Sequence, residues 1–226
     1  LVDQEVDVAA EHDVGAAARH VRCDRNRIVL ASLRNDLRFL FVELGIQHIA
    51  DIKAYDHILF VIALCAVYPL TEWRKVLILV TAFTLGHSLT LGLSALDIIH
   101  FKQKVVEFLI PVTILITALI NLSNPSQIGE YKKYKYFLPM VFGFIHGMGF
   151  SSYFKSLLGK EESVIKPLFA FNLGIEVGQL GIIAIIAVIV GIIVHLMKIP
   201  HRNWVISISV LVALMALYLM WETKFW

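Results

Sequence analysis

The chain has 226 residues, of which 58% are hydrophobic and 17% charged, and its mean hydropathy is +0.74. This composition excludes an ordinary soluble domain and favours a membrane protein with several spanning helices. The formal net charge of +2 is too small to indicate a nucleic-acid partner. Two cysteines, Cys23 and Cys65, cannot build a disulfide framework, and no Cys-x-x-Cys pair is present.

The first 27 residues differ from everything after them, because they are rich in Val, Ala, Asp and Arg and contain no apolar run. We leave residues 1–27 as an unassigned tail and predict a transmembrane helical domain over 28–226. From residue 28, leucines recur at spacings of three and four with basic residues on other faces, which predicts an amphipathic helix at the lipid surface. Over 39–49 this pattern predicts a short amphipathic or re-entrant helix.

Six longer apolar runs predict membrane-spanning helices. They cover residues 56–70, 76–96, 105–122, 137–158, 167–197 and 204–221. The fifth run has about 30 residues, so at 1.5 Å per residue it must tilt, kink or protrude from a hydrocarbon core of about 30 Å. The predicted fold is therefore an all-α, polytopic transmembrane helix bundle of six full spans, with the short helix before the first.

Ionisable side chains lie inside or at the edge of these runs, where an isolated charge costs about 2.5 to 3.5 kcal/mol. A chain carries that cost when such groups meet each other, water or a metal ion. The candidate metal ligands are His48, Asp56, His57, His87, His146 and Glu176. The candidate supporting polar residues are Asp51, Glu107, Asn172 and Gln179.

Several candidates also have a structural interpretation. His87, taken alone, favours a histidine bonded to a carbonyl of a neighbouring helix. The glycines around His146 either pack helices closely or clear space for its ring. Glu107 opens a predicted span, where the helix macrodipole stabilises an anion.

A polar stripe in the fifth span favours function more strongly. Asn172, Glu176 and Gln179 stand at i, i+4 and i+7, so they share one helix face. An interhelical hydrogen-bond ladder explains Asn172 and Gln179, but it explains the carboxylate of Glu176 less well.

Asp56 and His57 begin the first predicted span, where water can reach them. Adjacent helical residues point about 100° apart, so we expect one to bind an ion and the other to orient a partner. Aspartate is also a common N-cap, which is the structural alternative for Asp56. Imidazole and carboxylate ligands suit Ni²⁺, Co²⁺, Zn²⁺ or Mn²⁺, and no spacing matches a structural zinc site.

Five segments, in order, resemble the HupE/UreJ family of bacterial membrane proteins, which is associated with nickel or cobalt uptake. They are residues 45–60, 81–88, 106–110, 143–150 and 171–179. The resemblance covers residues 39–226 and implies a metal-binding motif of His followed by Asp-His, carried here by His48, Asp56 and His57. Seven residues separate His48 from Asp56, whereas nickel-associated members have five. Because two extra helical residues would turn His48 away by about 200°, we expect a loop to absorb them.

The resemblance implies a multi-pass permease of the bacterial inner membrane, with nickel or cobalt as the ion and zinc as a further possibility. Lipid and the divalent ion are then its partners, while protein partners and oligomeric state stay open. Two alternatives remain. An intramembrane metal-dependent hydrolase would hold its ion at converging histidines and use Glu176 as general base. A structural protein for the assembly of a metalloenzyme would bind no metal.

Overall fold

The computed structural model describes residues 39–53, 55–123, 125, 134–158 and 164–226. The predicted tail over 1–27 and the amphipathic stretch over 28–38 lie outside the described residues. Regular structure in the described residues is entirely helical, and residues from Phe41 to Trp226 pack as one unit.

The described residues form seven main helices. In chain order these are α1 (Phe39–Ala50), α2 (Asp56–Ala66), α3 (Trp73–Ala95), α4 (Gln103–Ser123), α5 (Tyr134–Leu158), α6 (Ile165–Val190) and α7 (His201–Glu222). A 3₁₀ turn precedes α3 at Leu70–Glu72, and a π-helical turn over Gly191–Leu196 ends the long run that begins with α6.

Within the described part of the chain, four stretches are long and apolar enough to cross a membrane: Leu70–Ala95, Gln103–Ser123, Ile165–Val194 and His201–Glu222. The all-α, polytopic bundle predicted from the sequence is thereby confirmed. In the region predicted as a span over 56–70, the helix is shorter than expected, since α2 has only 11 residues. At 1.5 Å per residue α2 is about 16 Å long, against a hydrocarbon core of about 30 Å. The count of six full spans stays a prediction.

Helix α2 lies at the centre of the bundle, in contact with α3, α4, α6 and α7. Its sequence is apolar on every side, which is typical of a helix enclosed by others. Most of its side chains are buried, among them Cys65, a free thiol. His57 stands in the first turn of α2, so this central position places its imidazole inside the protein.

Glycines bring two helix pairs into backbone contact. A Cβ at Gly143 of α5 would lie 2.1 Å from the carbonyl oxygen of Phe83 on α3. A Cβ at Gly45 of α1 would lie 2.1 Å from the carbonyl oxygen of Phe171 on α6. Small residues permit such close approach between membrane helices. We call these two close contacts, α3 with α5 and α1 with α6, the glycine seams. They hold α1, α3 and α5 in place, and all three helices carry candidate histidines.

Candidate metal site

Four histidines from four helices converge in the bundle, and we call them the histidine cluster: His48 on α1, His57 on α2, His87 on α3 and His146 on α5. The ring centroid of His57 lies 4.6 Å from that of His48, 5.2 Å from that of His146 and 6.4 Å from that of His87. The rings of His48 and His87 are 5.7 Å apart. The ring of His57 therefore lies at the centre of the cluster, near those of the other three histidines.

Three members of the cluster have the spacing of a metal site. His48, His57 and His87 each offer one ring nitrogen, and these atoms lie within 4.8 Å of one another. Nitrogens bonded to one ion at about 2.1 Å can be at most about 4.2 Å apart. Small rotations of the side chains would thus bring the three nitrogens onto a single ion.

Three of the four histidines in the cluster are buried, His48 is half-buried, and five of their ring nitrogens lack hydrogen-bond partners among the described residues. His57, His87 and His146 are exposed by 5%, 0% and 1%. The Nε2 atom of each cluster member has no partner among the described residues, and neither has Nδ1 of His87. The carbonyl bond that a purely structural His87 would make is therefore absent from the described part of the chain. Because an unsatisfied buried polar group costs about 1–3 kcal/mol, a ligand for these nitrogens would be stabilising.

Hydrogen bonds at Nδ1 direct the Nε2 lone pairs of two histidines toward the site. Nδ1 of His146 lies 2.9 Å from the carbonyl oxygen of Phe142. A carbonyl only accepts, so this Nδ1 carries the proton and Nε2 keeps a free lone pair. Nδ1 of His57 lies 3.0 Å from Oδ1 of Asp56, which also accepts from the His57 backbone N–H at 2.9 Å. A carboxylate in this position orients the ring and raises its basicity as a ligand.

The same contacts define the place of Asp56. Tyr55 is the N-cap residue of α2 and Asp56 is the first helical residue. Its carboxylate therefore serves the imidazole of His57 as well as the helix start. This is the division of roles expected from adjacent residues that point about 100° apart.

The spacing between His48 and Asp56 is absorbed by a loop, as expected. Helix α1 ends at Ala50 and α2 begins at Asp56, and residues 51–53 and 55 between them are not helical. The loop lets α1 run back against the bundle, so His48 meets His57 despite the two extra residues.

The carboxylate of α6 that was predicted as a ligand is not part of the histidine group that has metal-site spacing. That residue, Glu176, is half-buried. Asn172 is also half-buried, and its Oδ1 has no partner among the described residues. Gln179 is buried and its Oε1 accepts a hydrogen bond from the hydroxyl of Thr84 at 3.0 Å.

A cavity of about 1070 Å³ leads to the cluster. His48, His57 and His146 line it, whereas His87 does not. Two of the predicted supporting residues, Asp51 and Glu107, are exposed and also line it. The cavity therefore joins the cluster to the end of the bundle where the α1–α2 loop lies.

Aromatic rings form a wall of the cluster that the sequence analysis did not identify. The ring of Phe150 lies 4.0 Å from that of His48 and stacks on Phe171 at 5.1 Å with an interplanar angle of 4°. Phe83 packs against His146 at 5.1 Å. Both Phe150 and Phe171 stand in the segments that carry the family resemblance. Their place in those segments is the sequence feature that could have identified them. Their effect is to reduce the space for water beside the imidazoles.

Comparison with known proteins identifies one family. Residues 24–223 match the family model described as HupE/UreJ protein. No curated protein and no solved structure matches the chain. The matched region includes all four histidines of the cluster and the helices that carry them.

Proposed function

The chain belongs to the HupE/UreJ family, and from this premise we propose that it is a permease for divalent transition-metal ions, nickel or cobalt first, in the bacterial inner membrane. The family is associated with nickel and cobalt uptake. The observation that supports the proposal most directly is the histidine cluster, in which three imidazoles have metal-site spacing inside an apolar bundle.

The ligand chemistry favours borderline ions. Imidazole nitrogen suits Ni²⁺, Co²⁺ and Zn²⁺, whereas Cu(I) prefers thiolate and thioether. Cys65 packs within an apolar group around Val61 and Trp204, and no cysteine among the described residues belongs to the histidine group with metal-site spacing. The proposed substrate is therefore a divalent ion held through nitrogen.

In this proposal the ion enters through the cavity and exchanges water for imidazole at His48 and His57. Asp56 holds the His57 ring and supplies a negative charge beside it. His146, at the cavity wall, and His87, deeper in the bundle, offer further Nε2 atoms toward which the ion can move. A permease needs such alternatives, because an ion must also leave its site.

The convergence of the histidines also favours a second candidate, an intramembrane metal-dependent hydrolase. Three imidazoles around one ion leave a fourth position for water, which is the arrangement of catalytic zinc sites. The general base expected from the sequence, Glu176, is not in the histidine group. The carboxylate of Asp56 accepts hydrogen bonds from the ring and backbone of His57, so it is not free to act as the base. The permease is therefore the better-supported function.

Elemental analysis and nickel titration of the purified protein test the proposal. We expect the parent to bind about one Ni²⁺ or Co²⁺ per chain, a ratio set by one shared site for the converging imidazoles. We expect His57→Ala to lose most of this binding. His100→Ala is the matched control, since His100 is exposed by 76% and lies outside the cluster.

Uptake into cells and proteoliposomes separates the alternatives. A permease accumulates Ni²⁺ with the parent and with His100→Ala, but not with His57→Ala. A structural assembly protein binds and carries no metal in either assay. A protein that binds Zn²⁺, hydrolyses a membrane substrate and moves no ion is the hydrolase, and the permease proposal is then wrong.

A further inference from the structure

We propose that the cavity above the histidine cluster is a capture site for a hydrated divalent cation, held through its water shell by Glu107 and Asp51 before the ion loses water to the imidazoles. The inference rests on the proposed function and assigns an electrostatic role to two residues outside the cluster.

Charge is the first observation. Among the described residues, three carboxylates line the cavity, those of Asp51, Asp56 and Glu107, against one ammonium, that of Lys53. A cleft of one sign with low-dielectric walls concentrates counter-ions and raises association rates by about 10 to 10³. The cavity therefore attracts cations toward the site.

The buried imidazoles are the second, independent observation. His57 and His146 line the same cavity, are exposed by only 5% and 1%, and each have an Nε2 without a hydrogen-bond partner. The carboxylates thus stand at the open end of a space whose inner end offers unused metal-ligating nitrogens. This arrangement distinguishes the cavity from an ordinary acidic surface.

The helix macrodipole does not account for Glu107. Helix α4 begins at Gln103, its first turn contains no acidic residue, and Glu107 follows that turn. The dipole effect falls off within the first turn. Instead, Gln103 holds the carboxylate, because its Nε2 donates to Oε1 of Glu107 at 3.1 Å and to the carbonyl oxygen of Gly149 at 3.0 Å. This bridge fixes the start of α4 to α5 beside the cavity.

The cavity is large enough for an ion that keeps its water. Six waters at about 30 Å³ each occupy about 180 Å³, and the cavity has about 1070 Å³. Asp51 and Glu107 are exposed, so their carboxylates stay solvated and can accept hydrogen bonds from the water shell. Release of that shell then takes place at the buried imidazoles.

The test is the rate at which purified protein takes up Ni²⁺, followed by stopped-flow depletion of a free-nickel indicator. The test variant is the double substitution Asp51→Asn with Glu107→Gln. It keeps the acceptor oxygens that bond Lys53 N–H at 2.8 Å and Gln103 at 3.1 Å, but it removes both charges.

Glu43→Gln is the matched control. Glu43 is exposed on α1, accepts from Gln47 Nε2 at the same 3.1 Å and does not line the cavity. We expect the double variant to associate with Ni²⁺ about threefold to tenfold more slowly than the control at low salt. Its dissociation rate should stay within about twofold, because in this proposal the imidazoles hold the ion. The difference should shrink as the Debye length falls from about 30 Å at 0.01 M salt to about 10 Å at 0.1 M.

Equal association rates for the double variant and the control overturn the capture site. A slower rate that does not depend on salt also overturns it, since a structural defect is not screened. A parent that binds Ni²⁺ at the expected rate but transports none refutes the permease alone. A parent that binds no Ni²⁺ refutes both proposals.

Discussion

Replacing Gly147 by alanine tests whether the contact between α3 and α5 holds the histidine cluster together. A Cβ at Gly147 would lie 2.2 Å from Oγ1 of Thr90 and 2.3 Å from the carbonyl oxygen of His87. The hydroxyl can rotate away, but a helix carbonyl cannot move without its helix. Since ordinary contact begins at 3.4 Å, α3 and α5 must separate by roughly 1 Å at this point.

The magnitude follows from a comparison with Gly181→Ala. Gly181 lies inside α6, and apart from the adjoining backbone of α6 itself no heavy atom of the described residues lies within 4 Å of a Cβ at Gly181. Both substitutions gain about 1 kcal/mol of helix propensity, so their difference isolates the overpacking at Gly147. Overpacking a tight contact costs about 1–3 kcal/mol, and we expect the two variants to differ in free energy of unfolding by that amount.

The assay is thermal unfolding of the parent and both variants in one detergent, combined with nickel titration. We expect Gly147→Ala to unfold earlier than Gly181→Ala and to bind Ni²⁺ more weakly, because the shift moves His87 relative to His146. If Gly147→Ala unfolds no earlier than Gly181→Ala and binds Ni²⁺ like the parent, the seam does not position the cluster.

Three further predictions concern the site and one loop. Asp56→Asn keeps an acceptor for the His57 backbone N–H but loses the charge beside the ring, so Ni²⁺ affinity should fall about 10- to 100-fold while thermal unfolding changes little; parent-like affinity would reduce Asp56 to a structural residue. Binding measured by titration at several pH values should weaken toward acid, because a proton competes with the ion for each imidazole lone pair, and pH-independent binding would exclude imidazole ligands. In the α3–α4 turn, the hydrogen bond from Lys155 lowers the pKa of Asp97 below its usual 3.8. The stabilisation of the folded state by the ionised Asp97 is therefore complete above pH 3.8 and is lost as the pH falls through the lowered pKa. In acid titrations of unfolding, Asp97→Asn should therefore lack this loss of stability.

The four histidines of the cluster were candidates from the sequence because each stands inside or at the edge of an apolar run, where an unpaired polar group is costly. His57, His87, His146 and Glu176 were all expected to face the bundle interior. The three histidines are buried, whereas Glu176 is half-buried. The sequence could not show which helix faces meet. That choice depends on the glycine seams, and Gly143 could equally have been read as clearing space around His146.

The short helix α2 and the place of Glu176 both depend on how the helices pack, and Glu176 as a metal ligand stays a prediction. The run over 56–70 has the apolarity of a span, yet α2 is a short helix enclosed by its neighbours. Apolarity alone does not separate a helix facing lipid from one facing protein. Glu176 shares a helix face with Gln179, but the register of α6 against α3 pairs Gln179 with Thr84 and leaves Glu176 outside the histidine group. Such a register is a property of packing, which periodicity does not encode.

The charge of the proposed site bears on how an ion would leave it. Neutral imidazoles add no negative charge, so a divalent ion held by the cluster is compensated by Asp56 alone and keeps a net charge of about +1 in an apolar bundle. In structural zinc sites, by contrast, two or more thiolates compensate the full charge of the ion. When one carboxylate neutralises only part of the ion's charge, the remaining charge is buried in an apolar bundle. That burial makes the bound state less stable than the number of ligands alone would indicate. In the proposed permease, the positive charge that remains on the ion favours its onward movement, and this charge separates the site from a structural zinc site that thiolates neutralise.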